Sequence, residues 1–245
     1  MNNNWILILG ASSDIAIATA HKYAQNGYSI YLCSRNIEEL KKEAKNIEIR
    51  HKVNVSVLYF DALDYESHKE FYSDLPVKPK GVLLAFGLLG EQGTQQKQFE
   101  LAKSVIDTNY VSAVSILEVV SQDFEKRKSG FIVGISSVAG DRGRSSNYIY
   151  GSSKAGLSTY LEGLQHRLCK SNVHVLIVKP GFVATKMTAD MNLPDLLTAK
   201  PNEVSSAIYM GIEKKKNVIY VKRIWWLIML IIRKIPNFIF KRMSL

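Results

Sequence analysis

Cysteine is scarce in this chain. Cys33 and Cys169 are its only two, far apart and without a histidine partner at metal-ligand spacing. That excludes a disulfide framework and a cysteine-based metal centre; both thiols, one in an expected strand and one in an expected helix, read as buried groups of a reducing compartment. Long apolar runs are also missing. Residues 224–232 are uninterrupted but stop at Arg233, Lys234 and Pro236, well short of the ~20 residues a spanning helix needs. No fixed-period repeat and no Ser/Gly/Pro-rich linker divides the 245 residues, so one domain is expected. Residues 1–4 lack the basic start and apolar core of a secretory signal, which predicts a cytoplasmic protein. Acidic residues are short as well, 22 Asp+Glu against 32 Lys+Arg, for a net charge of +10. The surplus gathers in residues 213–217 (EKKKN) and after Val221, and no nucleic-acid module accompanies it. This pattern points to a membrane surface and to no nucleic-acid partner.

What is present alternates regularly. Apolar runs at 5–9 (WILIL), 28–34 (YSIYLCS), 53–60 (VNVSVLYF), 81–86 (GVLLAF), 131–136 and 173–178 are separated by helical patterns at 14–26, 38–45, 65–75, 94–122 and 148–169. Strands alternating with helices predict an α/β fold, a Rossmann-type doubly wound parallel sheet of about seven strands with helices on both faces. The expected division is a catalytic domain over 1–221 and a basic amphipathic tail over 222–245. Ligands of such sheets bind at the carboxyl ends of the strands, which places Gly10, Arg35, Asp61, Gly87, Ser137 and Gly181 on one edge.

The turn after the first run, GASSDIA, offers backbone N–H groups and a helix N-terminus to a phosphate, although Asp14 and Ala16 stand where a full dinucleotide fingerprint has glycines. An acidic Asp14 there is tolerable if its side chain caps the helix. At the end of the second run stand Ser34 and Arg35, with no acid until Glu38; a cation in place of an acid suits a ribose 2′-phosphate and hence NADP(H) over NAD. Asp61 and Ala62 close the third run where an adenine would lie.

The chemistry-bearing stretch is 136–156, SSVAGDRGRSSNYIYGSSKAG. Tyr150 and Lys154, four apart in a helical pattern, share one face. A cation beside a phenol favours the phenolate and makes the phenol a better acid. Ser137, at the mouth of the preceding strand, could hydrogen-bond a carbonyl oxygen gaining charge. Asn109 is a lone polar residue in an apolar helical pattern, either satisfying a helix kink or serving as a post beneath the site.

With these residues in place, the chain resembles the short-chain dehydrogenase/reductase family over about residues 4–221. The resemblance rests on the SSVAG run, the Tyr150-x-x-x-Lys154 pair, the serine thirteen positions before Tyr150, Asn109, and PGFVAT at 180–185. It implies that Tyr150 donates a proton to a substrate carbonyl, that Ser137 orients it, and that Lys154 lowers the tyrosine pKa and holds the nicotinamide ribose. It also implies that Asn109 positions a water of the proton relay. Gly10, Ser12, Ser13 and Ile15 match the pyrophosphate loop, and Pro180, Gly181, Val183 and Thr185 the segment that touches the nicotinamide and a nearby phosphate. LAFG at 84–87 departs from the family's NNAG. Members of this family often form dimers or tetramers, so a homo-oligomer is expected.

The DRGRSSNY and GASSDIA stretches are similar to reductases of polyprenyl-phosphate-linked 2-keto sugars, such as decaprenylphosphoryl-2-keto-ribose, which implies a lipid-linked substrate in cell-envelope glycan synthesis at the inner membrane face. Arg142 and Arg144 would then hold a substrate phosphate, or else stand as exposed loop arginines. A reductase of a soluble carbonyl compound, and a cofactor-binding scaffold without turnover, are the alternatives. The tail, with tryptophans at one end and cations on both flanks, fits either a membrane interface or a subunit contact.

Overall fold

The computed structural model describes residues 4–189 and 191–243; residues 1–3, on which part of the N-terminal reading rests, and residues 244–245 of the tail lie outside the described residues. In chain order the elements are β1 (Trp5–Leu9), α1 (Asp14–Gln25), β2 (Ser29–Ser34), α2 (Ile37–His51), β3 (Val55–Tyr59), α3 (Ser67–Ser73), β4 (Gly81–Leu84), α4 (Gln92–Gln95), α5 (Phe99–Ile106), α6 (Ser112–Arg127), β5 (Gly130–Ile135), α7 (Tyr148–Leu168), β6 (Val173–Pro180), β7 (Phe182–Val183), β8 (Thr198–Ala199), α8 (Pro201–Glu213), β9 (Val218–Val221), α9 (Ile224–Lys234) and α10 (Asn237–Phe240). Seven strands form one parallel sheet in the order β3-β2-β1-β4-β5-β6-β9, and β7 pairs with β8 beside it.

The period-2 geometry of a strand sends alternate side chains to opposite faces, and a sheet covered on both sides needs apolar residues on each. In β1, Ile6 and Ile8 enter one core with Ala16, Ala20 and Tyr23 of α1 and Val204 and Ile208 of α8. Leu7 and Leu9 enter the other with Ile116, Leu117 and Phe124 of α6 and Leu161 of α7. This is why WILIL is apolar at every position.

Two expectations are corrected. The helical pattern over 94–122 is not one helix: α5 and α6 are joined by a π-helical turn, Asp107–Val111, that contains Asn109. A π-turn inserts a residue into the 3.6 period, which apolar spacing alone does not reveal. Cys169 is exposed at the end of α7, while Cys33 is buried in β2.

The tail folds back onto the domain. Trp225 and Met229 of α9 are buried with Val138, against Phe182, Leu197 and Tyr220. Gly181 makes this possible, because a Cβ there would lie 1.9 Å from the Trp225 ring. Among the described residues no helix is long and apolar enough to cross a membrane.

Candidate active site

Every strand from β1 to β6 ends at one cavity of about 580 Å³. Its walls include all the expected site residues except Asn109 and Arg142, from Gly10, Ser12, Ser13, Asp14 and Ile15 through Ser34, Arg35, Asp61, Ala62, Gly87, Ser137, Arg144, Tyr150 and Lys154 to Pro180, Gly181, Val183 and Thr185.

At the cofactor end, Gly10 adopts φ +84°, and a Cβ there would come within 2.4 Å of the Phe86 backbone nitrogen. Glycine is therefore required, both for the left-handed backbone and for the close approach of the β1 and β4 exits. Ser12 Oγ donates to Ser34 Oγ at 2.9 Å, joining the turn to the end of β2. Arg35 next to it is exposed. Asp14 does not cap α1: Ser13 is the N-cap, and the Asp14 carboxylate instead accepts from the Lys186 backbone N–H at 2.7 Å. Lys186 Nζ in turn meets Glu39 at 3.0 Å, so the loop after β7 is tied to both α1 and α2. Asp61 Oδ1 accepts from Leu63 N at 3.0 Å, shaping the turn after β3.

At the chemical end, Ser137 caps a 3-10 turn, Val138–Gly140, with its Oγ accepting from Ala139 N at 3.1 Å. Burial pushes the Tyr150 phenol up to about 12, and the neighbouring Ser137 hydroxyl pulls the other way. Lys154 is buried; its Nζ donates to Ile135 O at 3.0 Å and lies 5.8 Å from the Tyr150 ring centroid. Burial lowers its ammonium to about 8. Burial is the larger influence on the tyrosine and Ser137 the one that opposes it.

Asn109 sits beneath the cavity. Its Nδ2 donates to Leu88 O at 2.8 Å and to Ser153 Oγ at 3.0 Å, while Oδ1 accepts from Leu88 N at 2.7 Å. Three of the amide's four hydrogen-bonding positions are thus spent on holding the β4 exit loop against α7.

The two loop arginines part company. Arg142 does not reach the cavity: it donates to the carbonyls of Ile232 and Ile235, the latter at 2.7 Å, and stacks 3.7 Å from the Phe240 ring centroid. It caps the C-terminus of α9, adding a side-chain donor to the Ile232 carbonyl, which also accepts from Ile235 N–H at 3.3 Å. Arg144 is half-buried in the cavity wall, with Nη2 3.9 Å from Met229 Sδ; among the described residues its Nε has no partner. Burial holds its guanidinium below the ordinary value, with Asp141 opposing weakly. Asp141 itself is spent on Lys179 Nζ at 2.6 Å and the Tyr220 hydroxyl at 2.7 Å.

Sequence reasoning missed Trp225 and Asn147 as cavity residues. The signal available was the first tryptophan of the tail, four residues before Met229 on one helix face, but nothing local says that the tail turns back.

The family described as short chain dehydrogenase matches residues 4–195. An uncharacterized oxidoreductase of Mycobacterium tuberculosis strain H37Rv is 32% identical over 241 residues, covering 97% of this chain and 96% of its own. Another, from the mprA 5′ region of Streptomyces coelicolor, is 33% identical over 243 residues, 97% of this chain and 95% of its own. Among solved structures, a short-chain dehydrogenase of Sphingobium yanoikuyae in complex with NADPH superposes with a TM-score of 0.83 at 23% identity, over 96% of this chain and 97% of that one. The strand order, the cavity at the strand ends and these relatives agree, and the chain belongs to the short-chain dehydrogenase family of oxidoreductases.

Proposed function

We propose that this chain is an NADPH-dependent reductase of a ketone. The observation that carries the reading is the Ser137–Tyr150 hydroxyl pair beside the buried ammonium of Lys154, in the wall of a cavity at the strand ends. The lining of this cavity suits a dinucleotide: the Gly10 turn opens on it between the β1 and β4 exits, and the end of β2 presents Ser34 and Arg35 without an acid. Bound NADPH would supply the hydride that reduces the carbonyl carbon. Tyr150, kept protonated by its surroundings, donates its proton to the carbonyl oxygen as negative charge develops there. Ser137 donates a hydrogen bond to the same oxygen. The charge of Lys154 stabilises the phenolate left behind.

The substrate is read as a keto sugar linked through phosphate to a polyprenyl lipid, in cell-envelope glycan synthesis. Arg144 supports this, because a cavity-lining guanidinium whose Nε has no partner among the described residues suits a phosphate oxygen. Apolar Trp225, Phe182 and Met191 lie on the same wall.

The test follows nicotinamide fluorescence as purified protein is titrated with NADPH and with NADH, in wild type and Arg35→Ala, and then measures reduction of phosphate-linked and plain ketones. Tight NADPH binding that weakens selectively in Arg35→Ala, with turnover lost in Tyr150→Phe, upholds the reading. Binding without turnover on any ketone would instead leave a cofactor-binding scaffold, and equal turnover on plain ketones a reductase of soluble carbonyl compounds.

A further inference from the structure

We infer that the outward face of α9 and α10 is a docking surface for an anionic lipid bilayer. This goes beyond the proposed activity and does not rest on it.

An amphipathic surface helix keeps polar residues toward water. α9 does the reverse. Its sequence IWWLIMLIIRK is apolar nearly all round, and it buries only Trp225 and Met229. Trp226 is 55% exposed, Leu227 51% and Ile231 58%, and Phe238 of α10 follows at 64%. Residues 226, 227, 230 and 231 share the helix side opposite 225 and 229, so these exposures form one patch rather than scattered contacts.

The frame of that patch is cationic. From residue 214 to 245 the chain has no Asp or Glu, and exposed Arg223, Lys234, Lys241 and Arg242 flank the apolar residues. An apolar face ringed by cations complements a bilayer surface with anionic headgroups. A second copy of the same face would bring like charges together with no local acid to offset them, which disfavours self-association. At 11 residues, α9 is about 16 Å long and can lie in the interface but not cross it.

The segment is held ready for this. Trp225 Nε1 donates to Leu197 O at 2.9 Å, Lys222 Nζ to Asp195 O and Leu196 O at 3.0 Å, and Arg142 caps the far end. Little ordering is therefore left to pay for on binding. The inner face of the same helix carries Trp225 into the active-site cavity, so a docked chain would bring that cavity close to the lipid.

The test is co-sedimentation of the full-length protein with extruded vesicles of phosphatidylcholine alone and of phosphatidylcholine with about 30% phosphatidylglycerol. The tail variants are Trp226→Asp with Ile231→Asp, and Lys234→Glu with Lys241→Glu and Arg242→Glu. All five side chains are exposed, and an unchanged circular dichroism spectrum and Tm check that each variant is folded, independently of the cofactor reading. Expected is binding to the anionic vesicles that drops about tenfold or more in either variant and is weakened by salt. Absence of binding, or equal binding by wild type and both variants, overturns the inference. So does a wild-type dimer in sedimentation velocity that becomes a monomer on Trp226→Asp with Ile231→Asp without any vesicle binding, because the face would then be a subunit contact.

Discussion

The Asp14 carboxylate accepts a 2.7 Å hydrogen bond from the backbone N–H of Lys186, 172 residues away. One acid at the start of α1 thus holds the loop that closes the cofactor end of the cavity. Asp14→Ala should free that loop and weaken NADPH binding several-fold. Asp14→Asn keeps an acceptor oxygen while removing a negative charge near the expected pyrophosphate, and should bind NADPH at least as tightly as wild type. Fluorescence titration of both variants checks this; equal weakening in the two would show that the charge itself is needed.

Lys154 titrates at about 8 because it is buried. The folded state therefore carries the ammonium at a cost below about 8. Stability should rise as pH climbs from about 8 toward ~10.4, where the unfolded chain still binds a proton that the folded one has released. Urea unfolding across this window should show the rise in wild type and not in Lys154→Met. For the free enzyme, kcat/KM for NADPH should fall above about 8 as the charge is lost. Tyr150, held at about 12, should sustain no loss of its proton in that range.

Arg142 and Arg144 separate stability from recognition. Arg142→Ala removes carbonyl bonds at the end of α9 and a stack on Phe240, and should cost about 1–3 kcal/mol, read as a lowered Tm. Arg144→Ala deletes a half-buried cation whose Nε has no partner among the described residues, so stability should hold or improve. KM for a phosphate-bearing ketone should rise tenfold or more, roughly, with a smaller change in kcat.

Asp141 is the buried knot beneath those arginines, bonded to Lys179 at 2.6 Å and to Tyr220 at 2.7 Å. Its side chain is 2% exposed and that of Lys179 9%. Lys179→Met leaves a buried carboxylate with one partner and should cost about 3–5 kcal/mol in urea unfolding. Lys179→Met with Asp141→Leu should cost less than the two single losses added together.

Much of this protein was legible before any fold was in view. The apolar runs that became β1 to β6 are contiguous in the chain, and burial on both faces leaves β1, β4 and β5 without a polar side chain to confuse the pattern. Tyr150 and Lys154 are likewise a local pair, since four residues of helix suffice to align them. What stayed hidden depends on contacts between distant segments. Asp14 reads as a helix cap until Lys186 arrives beside it. Arg142 and Arg144 are indistinguishable in a loop of small residues, and they divide only because α9 folds back, offering carbonyl ends to one and a thioether to the other.

The sequence by itself determined six strands of the sheet and the shared helix face of Tyr150 and Lys154, because each follows from spacing within a single strand or helix. The tertiary structure alone decided that Trp225 walls the cavity, that Asn109 holds the β4 exit, and which face of the tail looks outward. Those outcomes depend on close approach across the fold, such as the room that Gly181 leaves for an indole, and no local pattern encodes such an approach.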